Sequence, residues 1–451
     1  MAILANISLE EYQEPNLSTT YNGDHYYGQH GSQILFVKTR FSFSSMIPFF
    51  AEELGNINVL RATIASESRC DVAELLQVKD SVLVLENDIV ADLGSINIFV
   101  STQKFVVAQP NNSSPTNKDE LVPWEIKLSL LKPPTPLRSQ QNDVKEWWTS
   151  KQLLKQPLER QLQCRHCGHK FYGSSIEYKI KDLPSEHWYE LVECWICHET
   201  KPEEHQARMK PILARPHVLL VGTTYFLIHP DNIMKGSFQA DSVILKRSNW
   251  DRGTLSKWIA VNCSKCQSPI GEGQYCMEDD EIKLQAVKLF KYCIDLLPNP
   301  SERPIFTDFL VSDLVNTAKI HATHRFLVQG RQSQRIYALI WLFNWDTNIV
   351  HNNGYIEDSN HSLLRERVMK VIYLDCSATS VESDQHVKNN VTLWSIDKST
   401  DHLIYPDVHC QQLVDTLNQS TLILPPFMRR INHPAMLFTK GFSIGFIRRS
   451  D

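Results

Sequence analysis

Apolar residues recur along this chain in two rhythms. Short runs rich in β-branched side chains come first: Ile34-Leu35-Phe36-Val37, Val82-Leu83-Val84-Leu85, Ile96-Asn97-Ile98-Phe99-Val100 and Phe105-Val106-Val107. Bounded by Gly, Asn and Asp, they predict strands and a small β-rich N-terminal domain over residues 1–108. The polar stretch Gln109 to Lys118 and the proline-rich stretch Lys132 to Asn142 flank a strand-like patch from Trp124 to Leu130. Together they read as a linker, residues 109–150. A hairpin is expected where Val218-Leu219-Leu220-Val221 and Tyr225-Phe226-Leu227-Ile228 meet around Gly222-Thr223-Thr224, inside a middle domain over residues 151–285.

The second rhythm is helical. Phe306, Phe309, Leu310, Leu314 and Ala318 stand at helical spacing, before the hairpin-like runs Phe326-Leu327-Val328 and Ile336 to Phe343 around Gln329-Gly330-Arg331-Gln332. Further strands are expected at Val368 to Leu374, Val391 to Ile396 and Phe442 to Ile447, with a helix from Asp407 to Asn418. The part from 286 to 451 therefore reads as α+β, and the whole chain as α+β and β-rich.

Composition narrows the function classes. With 451 residues the chain exceeds one ordinary core, and 42% hydrophobic against 22% charged residues is the balance of a folded protein. A net charge of -5 gives no overall field for a polyanion, so direct nucleic-acid binding is not expected. The apolar start Met1 to Ala5 is too short for a secretory signal and lacks a basic flank, and no apolar run reaches membrane-spanning length. The expectation is a soluble intracellular protein that does not engage membranes. In that setting, six of eleven cysteines standing in three Cys-x-x-Cys pairs point to metal rather than disulfides.

The pairs are Cys164-Arg165-His166-Cys167, Cys194-Trp195-Ile196-Cys197 and Cys263-Ser264-Lys265-Cys266. Each has the spacing of a zinc knuckle, whose tight turn lets two sulfurs reach one ion, and two knuckles complete a tetrahedral zinc site. Gly168 and Gly271, after the first and last pairs, are expected to let the chain leave the metal without a Cβ clash. The first pair has two candidate partners. Spacing alone favours Cys194 and Cys197, with His198 immediately following, while Cys263 and Cys266 lie much further along.

The chain resembles the HECT-like ubiquitin-conjugating-enzyme-binding proteins, whose fungal members are linked to pre-mRNA cleavage and polyadenylation. The likeness is carried by Leu183-Pro184-Ser185-Glu186-His187-Trp188, by Trp195 with Cys197-His198, and by Gly222 to Leu227. It continues through Cys263 to Cys266 with Ile270-Gly271-Glu272, Gln329-Gly330 with Ile336 to Asn344, and Leu424-Pro425. In that family's pattern the positions of Cys164, Cys167, Cys263, Cys266, Cys197 and His198 recur, and a cysteine at 194 is not regular. The resemblance thus implies a zinc held by Cys164, Cys167, Cys263 and Cys266, while Cys194, Cys197 and His198 stay as the alternative ligands that spacing offers. It also implies two partners, a ubiquitin-conjugating enzyme and the metallo-β-lactamase-type endonuclease of the 3′-end processing machinery, met in cytoplasm and nucleus. Trp188, Trp195 and His198 are the residues first expected to contact a partner.

A HECT-type ligase needs a cysteine that accepts ubiquitin as a thioester. Cys376 follows the strand-like run ending at Leu374 with no Leu-Pro step nearby, so Cys410, ahead of Leu424-Pro425, is the better candidate. However, Cys410, Leu413, Val414 and Leu417 fall on one apolar helical face behind Asp407, read as the helix cap. A thiol there is buried and inert, and His409 would point elsewhere on the helix. No P-loop, dinucleotide fingerprint or hydrolase motif is present, so the expectation is an adaptor or chaperone, with a Cys410 thioester ligase as the alternative.

Overall fold

A computed structural model of the protein describes residues 47–67, 71–109, 121–131, 144–155, 161–171, 179–183, 212–240, 242–248, 250, 256–279, 281–297, 303–356, 362–377, 384–431 and 441–450. The chain divides into two units, Met1–Ser45 and Met46–Asp451, and every described residue belongs to the second. The strand expected at Ile34 to Val37 lies outside them, as do Trp188, Cys194, Trp195, Cys197 and His198.

Two large sheets organise the described residues, and the fold is α+β and strand-rich as the apolar runs predict. The longer sheet is built around Ile336–His351, a strand of 16 residues. Its first half pairs with Arg325–Gly330 and its second half with Phe49–Leu54, while Leu364–Asp375 runs along its other side. The N-terminal strands continue outward in the order Phe49–Leu54, Val59–Glu67, Leu121–Leu130, Val100–Ala108. Residues from the two ends of the described unit therefore share one hydrogen-bonded sheet. Leu121–Leu130 is an inner strand of it, with Val122, Trp124, Ile126 and Leu128 buried at every second position.

The second sheet runs Phe238–Ala240, Ser256–Cys263, Pro269–Glu278, Glu281–Phe290, Tyr225–Ile228, Val218–Val221, Lys179–Asp182. The expected hairpin is here, with Leu219 opposite Ile228 and Val221 opposite Phe226. The helix expected from Phe306 spans Phe306–His321 and packs with Asp407–Leu422 in one core, where Phe309, Leu310 and Leu314 meet Cys410, Leu413 and Leu417. Among the described residues no helix is long and apolar enough to cross a membrane.

Three local expectations are corrected. Val391 to Ile396 is not a strand but the end of a helix, Gln385–Ile396. Asp384 caps it by accepting from the His386 N–H, and Val387, Asn390 and Trp394 bury one helical face, which outweighs the β propensity of Val391 and Thr392. Ile96 to Phe99 is not a strand either. Gly94–Ile96 forms a 3₁₀ turn closed by Asn97 in the left-handed region (φ 59°), and the strand starts at Val100. Finally, Asp407 does not cap the helix it begins. Pro406 holds that position, and the Asp407 carboxylate instead accepts from the N–H and hydroxyl of Ser333.

Candidate metal centre

The strand Gln161–Cys164 delivers the first cysteine pair into a tight turn. The Cys164 N–H donates to the His169 carbonyl (2.8 Å), and the Gly168 N–H donates to the Cys164 carbonyl (2.9 Å). The strand Ser256–Cys263 delivers the third pair in the same way: Cys263 N–H to Ser268 carbonyl and Gln267 N–H to Cys263 carbonyl, both 2.9 Å. Each turn needs one residue in the left-handed region. In the first it is Gly168 (φ 69°), in the second Gln267 (φ 61°), so the role expected of Gly271 falls to Gln267. Gly271 has a different reason to lack a side chain, since a Cβ there would lie 1.8 Å from the Lys288 carbonyl oxygen on the neighbouring strand.

The two turns face each other, and the sulfurs of Cys164, Cys167, Cys263 and Cys266 all lie within 4.8 Å of one another. Cys164 Sγ is 3.7 Å from Cys266 Sγ, and Cys167 Sγ is 3.6 Å from Cys263 Sγ. A disulfide needs about 2.05 Å, so these cysteines are free thiols. By contrast, four sulfurs at ~2.3 Å around one ion sit about 3.8 Å apart along the tetrahedron's edges, close to what is found.

Electrostatics also fits a cation. Cys164 and Cys263 are buried among Leu162, Phe171, Val261 and Ile270. Burial pushes the Cys164 thiol up to about 12 despite backbone hydrogen bonds from Cys167 and His166, and raises Cys263 for the same reason. Cys266 goes the other way, to about 5: burial is outweighed by hydrogen bonds from Ser268 and from the thiols of Cys167 and Cys164. Without a cation the buried thiols of Cys164 and Cys263 resist ionisation, whereas a divalent ion between the two turns would favour their thiolates.

A charged network anchors the first turn. The Arg165 N–H donates to the Cys293 carbonyl (3.1 Å) and its Nε to Asp295 Oδ1 (3.2 Å), while Arg303 grips the same carboxylate through two bonds of 2.9 and 2.6 Å. In the motif Arg165 is only a spacer. Its partners lie far along the chain, and only the pairing of Gln161–Cys164 with Ile294–Leu297 brings them together.

Cys410 is fully buried and its thiol donates to the carbonyls of Gln329 and Tyr405, each at 3.5 Å. Burial pushes it up to about 12. His409, expected to point elsewhere on the helix than Cys410, turns toward two aromatic rings. It packs 4.8 Å from the Phe306 ring and 5.0 Å from Tyr292, and burial with the nearby Arg165 guanidinium lowers it to about 4. Cys376 is buried as well and is likewise pushed up to about 12.

The family model described as HECT-like ubiquitin-conjugating enzyme (E2)-binding matches residues 52–435, most of the chain. The chain belongs to this family. Among the relatives of this HECT-like chain is an E3 ubiquitin-protein ligase of Homo sapiens, 25% identical over 306 residues, 61% of this chain and 72% of the human protein. The Bos taurus protein of the same name is 24% identical over 295 residues, with the same coverage of both chains. A Saccharomyces cerevisiae protein is 22% identical over 297 residues, 65% of this chain and 72% of its own length. No solved structure matches. Family membership places E2 binding with this fold, and the four-cysteine cluster can hold a metal within it.

Proposed function

We propose that this chain is a zinc-stapled adaptor or chaperone that binds a ubiquitin-conjugating enzyme through its HECT-like fold. The family match over residues 52–435 is the observation that carries the reading. Cys164, Cys167, Cys263 and Cys266 would hold zinc as thiolates, a closed set with no open position, so the ion's contribution is folding free energy rather than chemistry. The resemblance to fungal members extends the proposal to a second partner, the metallo-β-lactamase-type endonuclease of the 3′-end processing machinery, held in cytoplasm and nucleus. Trp188, Trp195 and His198 are the proposed contacts.

Affinity purification from native extract tests this. Recovery of an E2 together with the endonuclease is expected, and recovery of neither from a correctly folded, metal-loaded protein would overturn it. For the contact segment, His198→Ala is expected to weaken partner binding without changing the thermal midpoint.

A second reading is favoured by the name of the mammalian relatives, which are ubiquitin-protein ligases. In it, Cys410 takes ubiquitin from a charged E2 as a thioester, the E2 thiol leaving. That requires the helix Asp407–Leu422 to release a fully buried thiol. A reducible ubiquitin adduct on the wild-type protein that disappears in Cys410→Ala would make this the better reading.

A further inference from the structure

The strand Thr400–Tyr405 is the outer strand of the long sheet among the described residues. It pairs in parallel with Arg325–Gly330 on its inner side. The Tyr405 carbonyl accepts from the Arg331 N–H (2.8 Å) on that inner side. By the two-residue period of a strand, the main-chain groups of Leu403 and Asp401 also face inward, and those of His402 and Ile404 face outward. The Arg331 side chain agrees with this, since its Nη2 reaches round to the Ile404 carbonyl (3.1 Å).

A cleft of about 300 Å³ lies against this strand. Asp401, His402, Leu403, Ile404 and Tyr405 all line it. Successive side chains of a strand point to opposite faces, so a cavity touching five in a row runs along the backbone edge rather than over one face. The far side is one patch of the second sheet, where Tyr225 pairs with Phe290 and Glu272 with Lys288. The end wall is one face of the helix Phe306–His321, presenting Asp313, Thr317 and His321 at intervals of four.

Charges of both signs line this cleft. Arg331 pairs with Glu272, and the Lys288 ammonium lies over the rings of Trp258 and Tyr225 at 4.1 and 4.9 Å. On the strand and helix side stand two carboxylates, Asp401 against His321 Nδ1 (2.8 Å) and Asp313, which accepts from the Tyr405 hydroxyl. Arg331 Nη2 already takes the Ile404 carbonyl, so among the described residues the outward groups left for pairing are the N–H and carbonyl of His402 and the N–H of Ile404; beside two carboxylates they suit an extended chain with basic side chains.

We propose that this cleft docks an extended peptide segment of another protein, added as a strand beside His402 and Ile404, with a lysine or arginine side chain directed at Asp313 and Asp401. Main-chain bonding supplies affinity and the two carboxylates supply selection by charge. The site is separate from the cysteine cluster and does not depend on the E2-binding reading.

Fluorescence anisotropy on the full chain tests the proposal. The probe is a labelled peptide of ~8 residues, an ordinary strand length, alternating valine with lysine. Two comparison peptides carry glutamate for lysine, or N-methyl groups at alternate residues on each register. The lysine peptide is expected to bind on the order of tenfold more tightly than the glutamate peptide, and less tightly as salt rises. N-methylation on one register should abolish binding, and Asp313→Asn should weaken the lysine peptide while amide exchange in the sheet stays unchanged. No binding of the lysine peptide, equal binding of lysine and glutamate peptides, or indifference to methylation on both registers would each overturn the proposal.

Discussion

At the scale of single residues, the chemistry near Cys410 is set by what surrounds it rather than by its motif. His409 sits between Phe306 and Tyr292, and its buried Nδ1 has no hydrogen-bond partner among the described residues, so its protonated form is disfavoured in the folded state. The folded value of about 4 lies below the unfolded value of about 6.5. The unfolded chain therefore takes up a proton first as pH falls. Stability from this group is full above pH 6.5, declines through the window and is gone near pH 4, a loss of about 3 kcal/mol. Urea titrations at pH 7.5 and 4.5 should show that loss, and His409→Gln should flatten it. Cys410→Ala is expected to cost only about 1 kcal/mol, because a small buried thiol contributes packing and two weak hydrogen bonds. A much larger cost would mean that those bonds to Gln329 and Tyr405 hold the start of the helix.

Elements show where the amino-acid pattern was readable and where it was not. The hairpin at Val218–Ile228, the helix from Phe306 and the helix from Asp407 all follow from local periodicity, since each buries a face its own residues define. Val391 to Ile396 misled because β propensity is a weak local preference, and the burial of Trp394 against Phe442 (5.9 Å) decides the matter from another part of the chain. The cysteine spacing announced the knuckles but could not say which two would face each other, because strands distant in sequence set that choice. The two glycines illustrate the same limit. Gly271→Ala is expected to destabilise by about 2–3 kcal/mol, since its Cβ would collide with the Lys288 carbonyl in the sheet. At Gly168 a Cβ would meet only the Gln163 side chain, at 3.9 Å, so Gly168→Ala suffers just the left-handed backbone strain, about 1 kcal/mol. Denaturant midpoints of the two variants should therefore separate in that order, whereas equal reading of both as turn glycines would put them level.

For the whole described unit, the cysteine cluster is more than a staple within one sheet. Cys164 ends a strand that pairs with Ile294–Leu297, and Cys263 ends a strand of the second sheet, so an ion between them joins two sheets that share no ladder. Arg165 extends that junction to Asp295 and, through Asp295, to Arg303 just ahead of the helix Phe306–His321. Long-range joints of this kind carry no signal in sequence, which is also why the shared sheet of N- and C-terminal strands went unforeseen. The consequence is graded. Removing the metal leaves buried thiols that can protonate but can no longer hold the two turns together, so loosening should begin at the knuckles and follow the Arg165 network. Hydrogen exchange of metal-stripped protein should rise first in Gln161–Cys164, Ile294–Leu297 and the end of Ser256–Cys263. The pairing of Ile336–His351 with Leu364–Asp375, built on main-chain bonds and its own apolar core, should keep its protection. Uniform loss of protection in both sheets would instead mean that the unit folds as one cooperative body whose stability the four cysteines set as a whole, and the same zinc-replete protein should then melt in a single transition that chelator shifts rather than splits.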